Sequence, residues 1–268
     1  MAFLESQSKG SIPVGRGSGS FGILPVGADG QVPVADANDP LGLRYAPFPF
    51  SIWSARRRWF QIQQNGGLTT LNQAGFTTAP TLTGTAAVLN TTVAQFIQYT
   101  SAAVLNSDAG WLSSAFSQTQ FNYRPMYACA MRTGADITLS RFWFGLFAST
   151  PMAATDPAIS GMGFRYSTDV DGTAFWRCWS NDAAGGGTVT VTAVAMAINT
   201  IYELAMEVDP AGANVKFYIN GVLVATHTTN LPVGATNLGH VEEVRTLDAT
   251  PLARVVSISK VFVSQNAV

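Results

Sequence analysis

The sequence is poor in charged residues. Asp, Glu, Lys and Arg make up 12% of its 268 residues, and the formal net charge is −1. Globular domains usually carry about twice that share, and a nucleic-acid partner requires a basic patch that such a chain does not supply. Hydrophobic residues make up 47%, which is enough for a core. We therefore expect no nucleic-acid partner and a surface that other subunits partly cover.

Cysteine, histidine and long apolar runs are also scarce. Cys129 and Cys178 lie in strand-like runs, so we interpret them as buried thiols, with one disulfide open if their strands are neighbours. Neither histidine, His227 nor His240, has metal-ligand spacing to them. The longest weakly polar run, 189–198, falls short of the ~20 residues of a membrane helix, and residues 1–9 lack a secretory-signal pattern. We expect no membrane insertion and synthesis in a cytoplasm.

Composition divides the chain into three parts. Residues 1–50 are rich in glycine and proline with scattered apolar residues, which indicates an extended, irregular N-terminal arm that becomes ordered on a partner. Within it, 28–31 (Ala-Asp-Gly-Gln) is a turn signal between short extended pieces at 22–26 and 32–35. Residues 51–80 form a connecting segment. Residues 81–268 are predicted to form the globular part, with a short helix somewhere in 101–117.

The globular part has the pattern of an all-β jelly-roll sandwich. Short β-branched and aromatic runs alternate with Gly, Asp and Pro turns. Asn220-Gly221 predicts a two-residue type I′ turn that sets Ile219 opposite Val222 and Phe217 opposite Val224, with all four side chains in the core. The strands are predicted at 126–132, 141–147, 163–167, 174–180, 188–195, 201–208, 214–219, 222–228 and 255–263.

Two pairs of runs resemble a known family. Residues 202–209 (YELAMEVD) followed by 215–228 (VKFYINGVLVATHT) resemble the central hairpins of concanavalin A-like and laminin G-like jelly rolls. Residues 129–134 (CAMRTG) with 141–146 (RFWFGL) look like an earlier strand pair of that fold as it appears in phage proteins. The resemblance covers roughly residues 80–265. It implies the fold and leaves the function open.

The arm carries a second resemblance. Residues 27–32 (GADGQV), 35–36 (AD) and 42–45 (GLRY) are similar to a segment of phage tail fibres and related virion appendages, except at Pro33, which removes a strand donor. The resemblance implies a virion protein that forms a homotrimer and docks on other virion proteins, in the tail or baseplate or on the major capsid protein. The residues assigned to docking and oligomerisation are Phe21, Ile23, Leu24, Val32, Val34, Leu43, Tyr45, Arg56, Arg57 and Arg58.

The strand 201–208 and the turn after it carry the candidate catalytic carboxylates. Glycosidases on this fold place two on one strand, and Glu203, Glu207 and Asp209 share a face. Glu203 and Glu207 would lie ~13 Å apart and Glu207 and Asp209 ~6.6 Å, against the ~5–9.5 Å that glycoside hydrolysis requires. Because Asp209 starts a turn before Pro210, we interpret this face as solvated or as a subunit contact. We therefore predict a protein without catalytic residues.

Consecutive carboxylates and lone histidines give no further enzyme signal. In a strand, Glu242 and Glu243 would point to opposite faces. The many serines lie in no Gly-x-Ser-x-Gly motif, so a Ser-His-Asp set has no support. No glycine-rich phosphate loop follows a strand and opens a helix, which excludes a nucleotide site of that kind.

Two binding candidates remain in the sandwich. Asp169 and Asp171 begin like a calcium loop, but Ser180 stands where the bidentate Glu belongs, so a hairpin turn is the plainer interpretation. The sequence indicates no cofactor other than this weak calcium candidate. Trp176 and Arg177 are the glycan-binding candidates, because Trp176 would face outward if Phe175 and Trp179 share a core-facing side.

The basic run beside two tryptophans is the last motif. Arg56, Arg57 and Arg58 lie between Trp53 and Trp59, and in a nearly neutral chain a solvated run or an ion-paired docking site on another virion protein is favoured over nucleic-acid binding. We predict a non-enzymatic tail fibre or tail appendage protein whose jelly roll binds a host-surface glycan. The alternatives are a trimeric capsid decoration (cement) protein and a glycan depolymerase.

Overall fold

The computed structural model describes residues 12–17, 20–25, 31–35, 41–47, 57–63, 85–90, 95–113, 116, 118–171, 174–247 and 252–266. By internal contacts the chain splits into two units, Met1–Arg57 and Arg58–Val268. Within the described residues, no helix is long and apolar enough to span a membrane.

The N-terminal unit contains two separate antiparallel hairpins. Strand β1 (Ile12–Gly17) pairs with β2 (Ser20–Leu24), and β3 (Gln31–Ala35) pairs with β4 (Leu43–Pro47). The two extended pieces that flank the expected turn thus pair with other strands, and most of that turn lies outside the described residues. Pro33 is accommodated in β3 opposite Tyr45, because each strand of a two-stranded sheet is an edge strand.

The larger unit is a sandwich of two antiparallel sheets. Its strands are β5 Arg57–Gln63, β6 Thr85–Asn90, β7 Gln95–Thr100, β8 Asp108–Leu112, β9 Thr119–Gln120, β10 Met126–Thr133, β11 Ser140–Phe147, β12 Ser160–Ser167, β13 Phe175–Asp182, β14 Thr188–Ala195, β15 Ile201–Val208, β16 Val215–Ile219, β17 Val222–His227, β18 Asn237–Thr246 and β19 Val255–Asn266. Sheet 1 has the order β17-β16-β15-β10-β19-β7-β6, with β5 also paired to β19. Sheet 2 has the order β14-β13-β12-β11-β18-β8, with the short β9 also paired to β18.

The main core lies between the two sheets. Alternate residues point inward, such as Leu204 and Met206 on β15 and Phe142 and Phe144 on β11, all with no exposed surface. Across the sheets, the rings of Phe164 and Phe217 meet edge to face, with centroids 5.6 Å apart, a favoured aromatic geometry. The predicted all-β jelly-roll sandwich is confirmed.

The hairpin at Asn220-Gly221 forms as expected. Both residues have positive φ, 51° and 77°, as a type I′ turn requires. Ile219 pairs with Val222, but a β-bulge then sets Phe217 opposite Ala225 rather than Val224. The prediction that all four side chains are core is wrong for Val222, which is 64% exposed.

Two segments of sheet 2 differ from the sequence prediction. Residues 108–112 form β8, so the short helix expected within 101–117 is absent from the described residues there. β18 was not predicted, because its sequence (NLGHVEEVRT) contains glycine, histidine and adjacent carboxylates, which are poor strand signals. It nevertheless lies inside the sheet, between β8 and β11.

The two cysteines lie on different sheets. Cys129 is on β10 and Cys178 is on β13, and both are buried free thiols. Burial raises the pKa of each thiol well above its ordinary value. The interpretation as buried small hydrophobic residues is confirmed.

Candidate functional site

The outer face of sheet 2, the side turned away from sheet 1, concentrates charge in an otherwise neutral protein. Strand alternation brings Glu243, Trp143, Arg165 and Arg177 into one cross-strand row, because these residues are direct partners across β18, β11, β12 and β13. A second row sets Asp108 opposite Arg245 and Arg245 opposite Arg141. Charged side chains therefore occupy neighbouring positions on five strands, β8, β18, β11, β12 and β13.

Ion pairs neutralise most of these charges. Arg165 Nη2 and Arg177 Nε both contact Asp171 Oδ1, at 2.5 and 2.7 Å, and Arg141 Nη2 contacts Asp169 Oδ2 at 2.6 Å. All three arginines are at least nine-tenths buried. A buried charge is tolerated only when it is paired. Asp169 and Asp171 therefore stabilise the buried arginines that they contact.

The same face has an aromatic half. The ring of Trp143 contacts Trp179 and Phe147 edge to face, with centroids 5.3 and 5.5 Å apart. Glycines in β12 make room for these rings, since a Cβ on Gly163 would lie 2.6 Å from the Phe147 ring. The guanidinium carbon of Arg165 lies 5.8 Å from the Trp143 ring centroid, within cation–π range.

Residues 148–159, which we call the strap, cover this face. The carbonyl of Met152 accepts a hydrogen bond from Arg141 Nη1 at 2.7 Å, and the side chain of Met152 is fully buried among the aromatic residues. Asp156 Oδ1 accepts the Trp179 indole N–H at 2.8 Å. Arg165 Nη1 also donates to the carbonyl of Thr155. The strap is thus held by side chains of the face itself.

Glu243 is the exceptional group beneath the strap. Its Oε2 accepts the Thr150 hydroxyl at 3.0 Å, and its Oε1 has no hydrogen-bond partner among the described residues. Burial raises the pKa of this carboxyl to about 8, and the nearby charge of Asp108 adds to the increase. Glu243 is therefore largely uncharged at neutral pH.

Glu243 and Asp108 form a carboxyl pair of unequal character. Glu243 is paired across the sheet with Gly110, two residues along β8 from Asp108. Asp108 accepts two hydrogen bonds from Arg245, of 2.6 and 2.7 Å. Two carboxyl groups in different surroundings are the arrangement that acid–base catalysis uses. Here, however, Glu243 has no exposed surface.

A second polar cluster ties the sheets together inside the sandwich. Tyr127 on β10 donates its hydroxyl to Glu242 Oε1 at 2.8 Å, and Glu242 Oε2 lies 2.7 Å from His240 Nδ1. All three side chains are fully buried. Burial raises the pKa of the Tyr127 hydroxyl well above its ordinary value. As expected, Glu242 and Glu243 point to opposite faces of β18.

The other histidine lies at the edge of the sandwich. His227 Nδ1 lies 2.9 Å from Ser180 Oγ, and its Nε2 lies 3.0 Å from Thr190 Oγ1. Burial lowers the pKa of His227 to about 4, so the ring is neutral. In a Ser-His-Asp triad one histidine nitrogen contacts a hydroxyl and the other contacts a carboxylate. Both nitrogens of His227 contact hydroxyl groups instead. The contacts join β13, β14 and β17 across the edge.

The structure contradicts the glycan-binding candidates of β13. Trp176 points into the main core, where its ring contacts Phe144 and Tyr202 at centroid distances of 5.9 and 5.5 Å, and none of it is exposed. The outward-facing interpretation of Trp176 is therefore wrong. Arg177 does lie on the opposite face, but only 7% of it is exposed. Both sides of β13 are covered, one by sheet 1 and the other by the strap.

The calcium-site interpretation of Asp169 and Asp171 is likewise contradicted. Their carboxylates are engaged by arginines, and Asp171 also accepts the backbone N–H of Ser167 at 3.0 Å. No group of three or more metal-ligating side chains occurs in the described part of the chain.

The carboxylates of β15 have structural partners. Glu203 is exposed, Glu207 Oε1 accepts the Tyr218 hydroxyl at 3.0 Å, and Asp209 Oδ1 accepts the backbone N–H groups of Ala213 and Asn214. These backbone hydrogen bonds lower the pKa of the half-buried Asp209. Asp209 therefore stabilises the turn into β16, the position that the following Pro210 predicted for it.

The arm residues lie mainly in the two hairpins. Ile23 is 41% exposed and Leu24 is buried, whereas Leu43 and Tyr45 are half-buried. Phe21, Val32 and Val34 lie in strands β2 and β3, and Arg57 and Arg58 begin β5. Arg56 lies outside the described residues.

Sequence reasoning missed the outer face of sheet 2 as a unit. Arg141, Arg165 and Asp108 were assigned no role, and β18, which carries Glu243, was not predicted. The available signal was that 141–147 and 161–167 consist almost entirely of apolar, aromatic and glycine residues, with one arginine each, which indicates strands covered on both sides.

Comparisons with known proteins concern mainly the second half of the chain. A family model described as "SO2946-like, C-terminal domain" matches residues 152–258, which is less than half of the chain. No curated protein matches.

Several solved structures are similar at low identity. The conserved carbohydrate esterase of the Shiga toxin-encoding bacteriophage phi24B is 14% identical with a TM-score of 0.48, covering 72% of this chain and 91% of that one. The protein of unknown function SO2946 from Shewanella oneidensis MR-1 is also 14% identical with a TM-score of 0.48, covering 79% and 86%. Botulinum neurotoxin type C, whose cell entry depends on interaction with two ganglioside molecules, is 10% identical with a TM-score of 0.48, covering 78% and 48%. Likeness at this level says nothing about function.

Proposed function

We propose that the chain is a non-enzymatic structural protein of a phage virion. Its N-terminal arm anchors it to other virion proteins and to copies of itself in a homotrimer. Its jelly roll is displayed outward and binds a host-surface glycan, as a tail fibre or tail appendage does. The protein is made in the bacterial cytoplasm and assembled into the particle.

The observation that carries this proposal is the pair of isolated hairpins in the N-terminal unit. β1–β2 and β3–β4 are each two-stranded sheets, and a two-stranded hairpin is at best marginally stable in water by itself. Ile23 exposes 41% of its surface and Leu43 is half-buried. Such an arm gains its stability by packing on other chains.

The low charge of the chain supports the same role. Charged residues make up only 12% of the sequence, and most of those on sheet 2 form ion pairs within the chain. A surface with few free charges suits a subunit surrounded by neighbours.

The first experiment on the arm uses the full chain. Light scattering on a sizing column gives the mass of the wild type and of Ile23→Asp, which places a charge on the exposed face of β2. We expect a lower mass for Ile23→Asp and an unchanged mass for the control Val104→Asp, whose side chain is 55% exposed in the sandwich. An unchanged mass for Ile23→Asp would contradict an arm that joins copies.

Immunogold labelling of intact virions distinguishes the tail from the capsid. Gold at the tail or baseplate supports the appendage, and glycan-array binding is then the next measurement. Gold scattered over the head supports the alternative, a capsid decoration protein that stabilises the shell. No labelling of purified particles would refute both virion roles.

Glycan cleavage is the second candidate, and one observation favours it. Glu243 is a carboxyl with a raised pKa near a second carboxyl, Asp108, and glycoside hydrolysis uses a pair of carboxyl groups as acid and base. Release of reducing ends from host polysaccharide by the wild type, and its loss in Glu243→Gln, would support a depolymerase. Equal release by both proteins, or none, would refute a catalytic role for Glu243.

A further inference from the structure

The two sheets differ in how far their outer faces are covered. On sheet 2 every residue of β11 and β12 is buried, and the strap lies over their outward side. On sheet 1 burial alternates along β15 and β16, where the inward residues are buried and the outward ones are half-buried or exposed. The same alternation holds on β10 from Ala128 to Arg132. The outer face of sheet 1 is therefore open to solvent over these three strands.

One cross-strand row on this open face sets two alanines between two aromatic rings. Strand pairing aligns Tyr218 of β16, Ala205 of β15, Ala128 of β10 and Phe262 of β19. Paired residues point to the same side of a sheet, and all four are half-buried. Three strand spacings separate the Cα atoms of the two aromatic residues by about 14 Å. The alanine methyl groups thus form a low floor between two aromatic walls.

The next row continues the floor and adds charged groups. Ala130 is paired with Glu203 on one side and with Lys260 on the other. Both charged side chains are exposed, and among the described residues neither has a hydrogen-bond or ion-pair partner. A carboxylate and an ammonium group in this state can both bind hydroxyl groups of a ligand. We call the floor of Ala128, Ala130 and Ala205, with the walls Tyr218 and Phe262, the channel.

The wall at Tyr218 is fixed before any ligand binds. Its hydroxyl donates to Glu207 Oε1 of the neighbouring strand at 3.0 Å. Lys216 is the strand partner of Glu207, so two carboxylates and two ammonium groups border the channel and their formal charges cancel. A ring held in place loses little conformational freedom on binding, and a neutral border gives no overall attraction to an anionic ligand.

A buried hydroxyl lies at one end of the channel. Ser257 is paired with Arg132, which places it on the outer side of sheet 1, one row beyond Ala130 and Lys260. It is 1% exposed, and its Oγ has no hydrogen-bond partner among the described residues. Buried hydroxyl groups normally have a partner, and a ligand at this end of the channel is in position to supply one, directly or through a water.

We propose that the channel is the glycan-binding site of the jelly roll and that its ligand is an oligosaccharide of neutral hexoses. The C–H face of a pyranose ring packs on an aromatic wall and on the alanine methyl groups, while its hydroxyl groups bind Glu203 and Lys260. The assignment rests on the glycan binding proposed above. It locates that binding on sheet 1 and not on the face of sheet 2 that the strap covers.

The first test removes one aromatic wall. A glycan array of neutral and acidic oligosaccharides is probed with the full chain, and calorimetry then gives Kd for the neutral tetrasaccharide that binds best. We expect Tyr218→Ala to raise this Kd about tenfold or more. Tyr218→Phe keeps the ring and loses only the hydrogen bond to Glu207, so its Kd should stay within about threefold of the wild type.

The second test fills the floor and leaves both walls in place. Ala130→Gln puts a longer side chain between Glu203 and Lys260, and we expect it too to raise Kd about tenfold or more. Ala213→Gln is the matched control, because Ala213 is exposed in the turn between β15 and β16, and its Kd should not change. Circular dichroism and melting temperature should match the wild type for both variants, since each added side chain points to solvent.

The outcomes separate the channel from the glycan function itself. If the wild type binds a glycan and both Tyr218→Ala and Ala130→Gln bind it equally well, the channel is refuted and the glycan function stands. Binding of acidic oligosaccharides alone would refute the neutral ligand. A wild type that binds nothing on the array would overturn the glycan function, and the channel with it.

Discussion

Ionisation of Glu243 should make the protein less stable as the pH rises. The native pKa is about 8 against an ordinary value of 4.5, so between these values the native state binds more protons than the unfolded state. Stability therefore falls with rising pH, by up to about 1.4 kcal/mol per unit. Between pH 6 and pH 8 the loss is about 2 kcal/mol, because half of the native carboxyls are still protonated at pH 8.

Glu243→Gln removes this ionisation at little structural cost. The amide has the shape of the protonated acid, and its oxygen can accept the Thr150 hydroxyl as Oε2 does. We expect the variant to match the wild type at pH 6 and to exceed it by about 2 kcal/mol at pH 8. For a unit of this size the melting temperature would then rise by roughly 4–8 °C.

Urea unfolding at pH 6, 7 and 8 measures the effect directly. Glu203→Gln is the control, because Glu203 is exposed on β15, and its curves should run parallel to those of the wild type. The reasoning is refuted if wild type and Glu243→Gln lose the same stability between pH 6 and pH 8. That result would mean that Glu243 is already charged beneath the strap at pH 6.

Three further predictions concern the groups that hold the sandwich together. His227 has a native pKa of about 4 against 6.5, so stability should fall by up to about 3 kcal/mol as the pH falls from 6.5 to 4; His227→Asn should abolish that slope in urea titrations. Asp171→Asn leaves Arg165 and Arg177 without their shared carboxylate, and calorimetry should show a loss of about 3–5 kcal/mol in the free energy of unfolding. The control Asp182→Asn, at the half-buried last residue of β13, should change the stability little. Gly163→Ala would place its Cβ 2.6 Å from the Phe147 ring and 2.5 Å from the Phe144 carbonyl, so we expect a loss of about 1–3 kcal/mol; wild-type stability would mean that β12 can move away from β11.

The local elements of the sandwich follow from the sequence with little ambiguity. The alternation in 201–208 places Tyr202, Leu204 and Met206 in the core, and Asn220-Gly221 forms the predicted turn. Strand period and turn chemistry act between residues close in sequence, so they can be identified without knowing the partner strands. The buried state of both cysteines follows from the same strand pattern.

The candidate site could not be predicted in the same way, because its residues meet only through long-range pairing. Glu243 lies beside Trp143 and Arg165 since β18 enters sheet 2 next to β11, and nothing in its own sequence indicates a strand at that position. Trp176 faces inward, whereas the placing of Phe175 and Trp179 on one core-facing side had predicted that it faces outward.

The sequence by itself determined an all-β chain with a neutral surface, short strands and one well-defined hairpin, because these properties depend on composition and on neighbours along the chain. Only the tertiary structure decided which side of each strand is covered, which carboxylates meet arginines, and that Glu243 is buried without a counter-charge of its own. Burial and charge pairing depend on strand order and on the strap, and these bring together residues as far apart as Asp108 and Arg245.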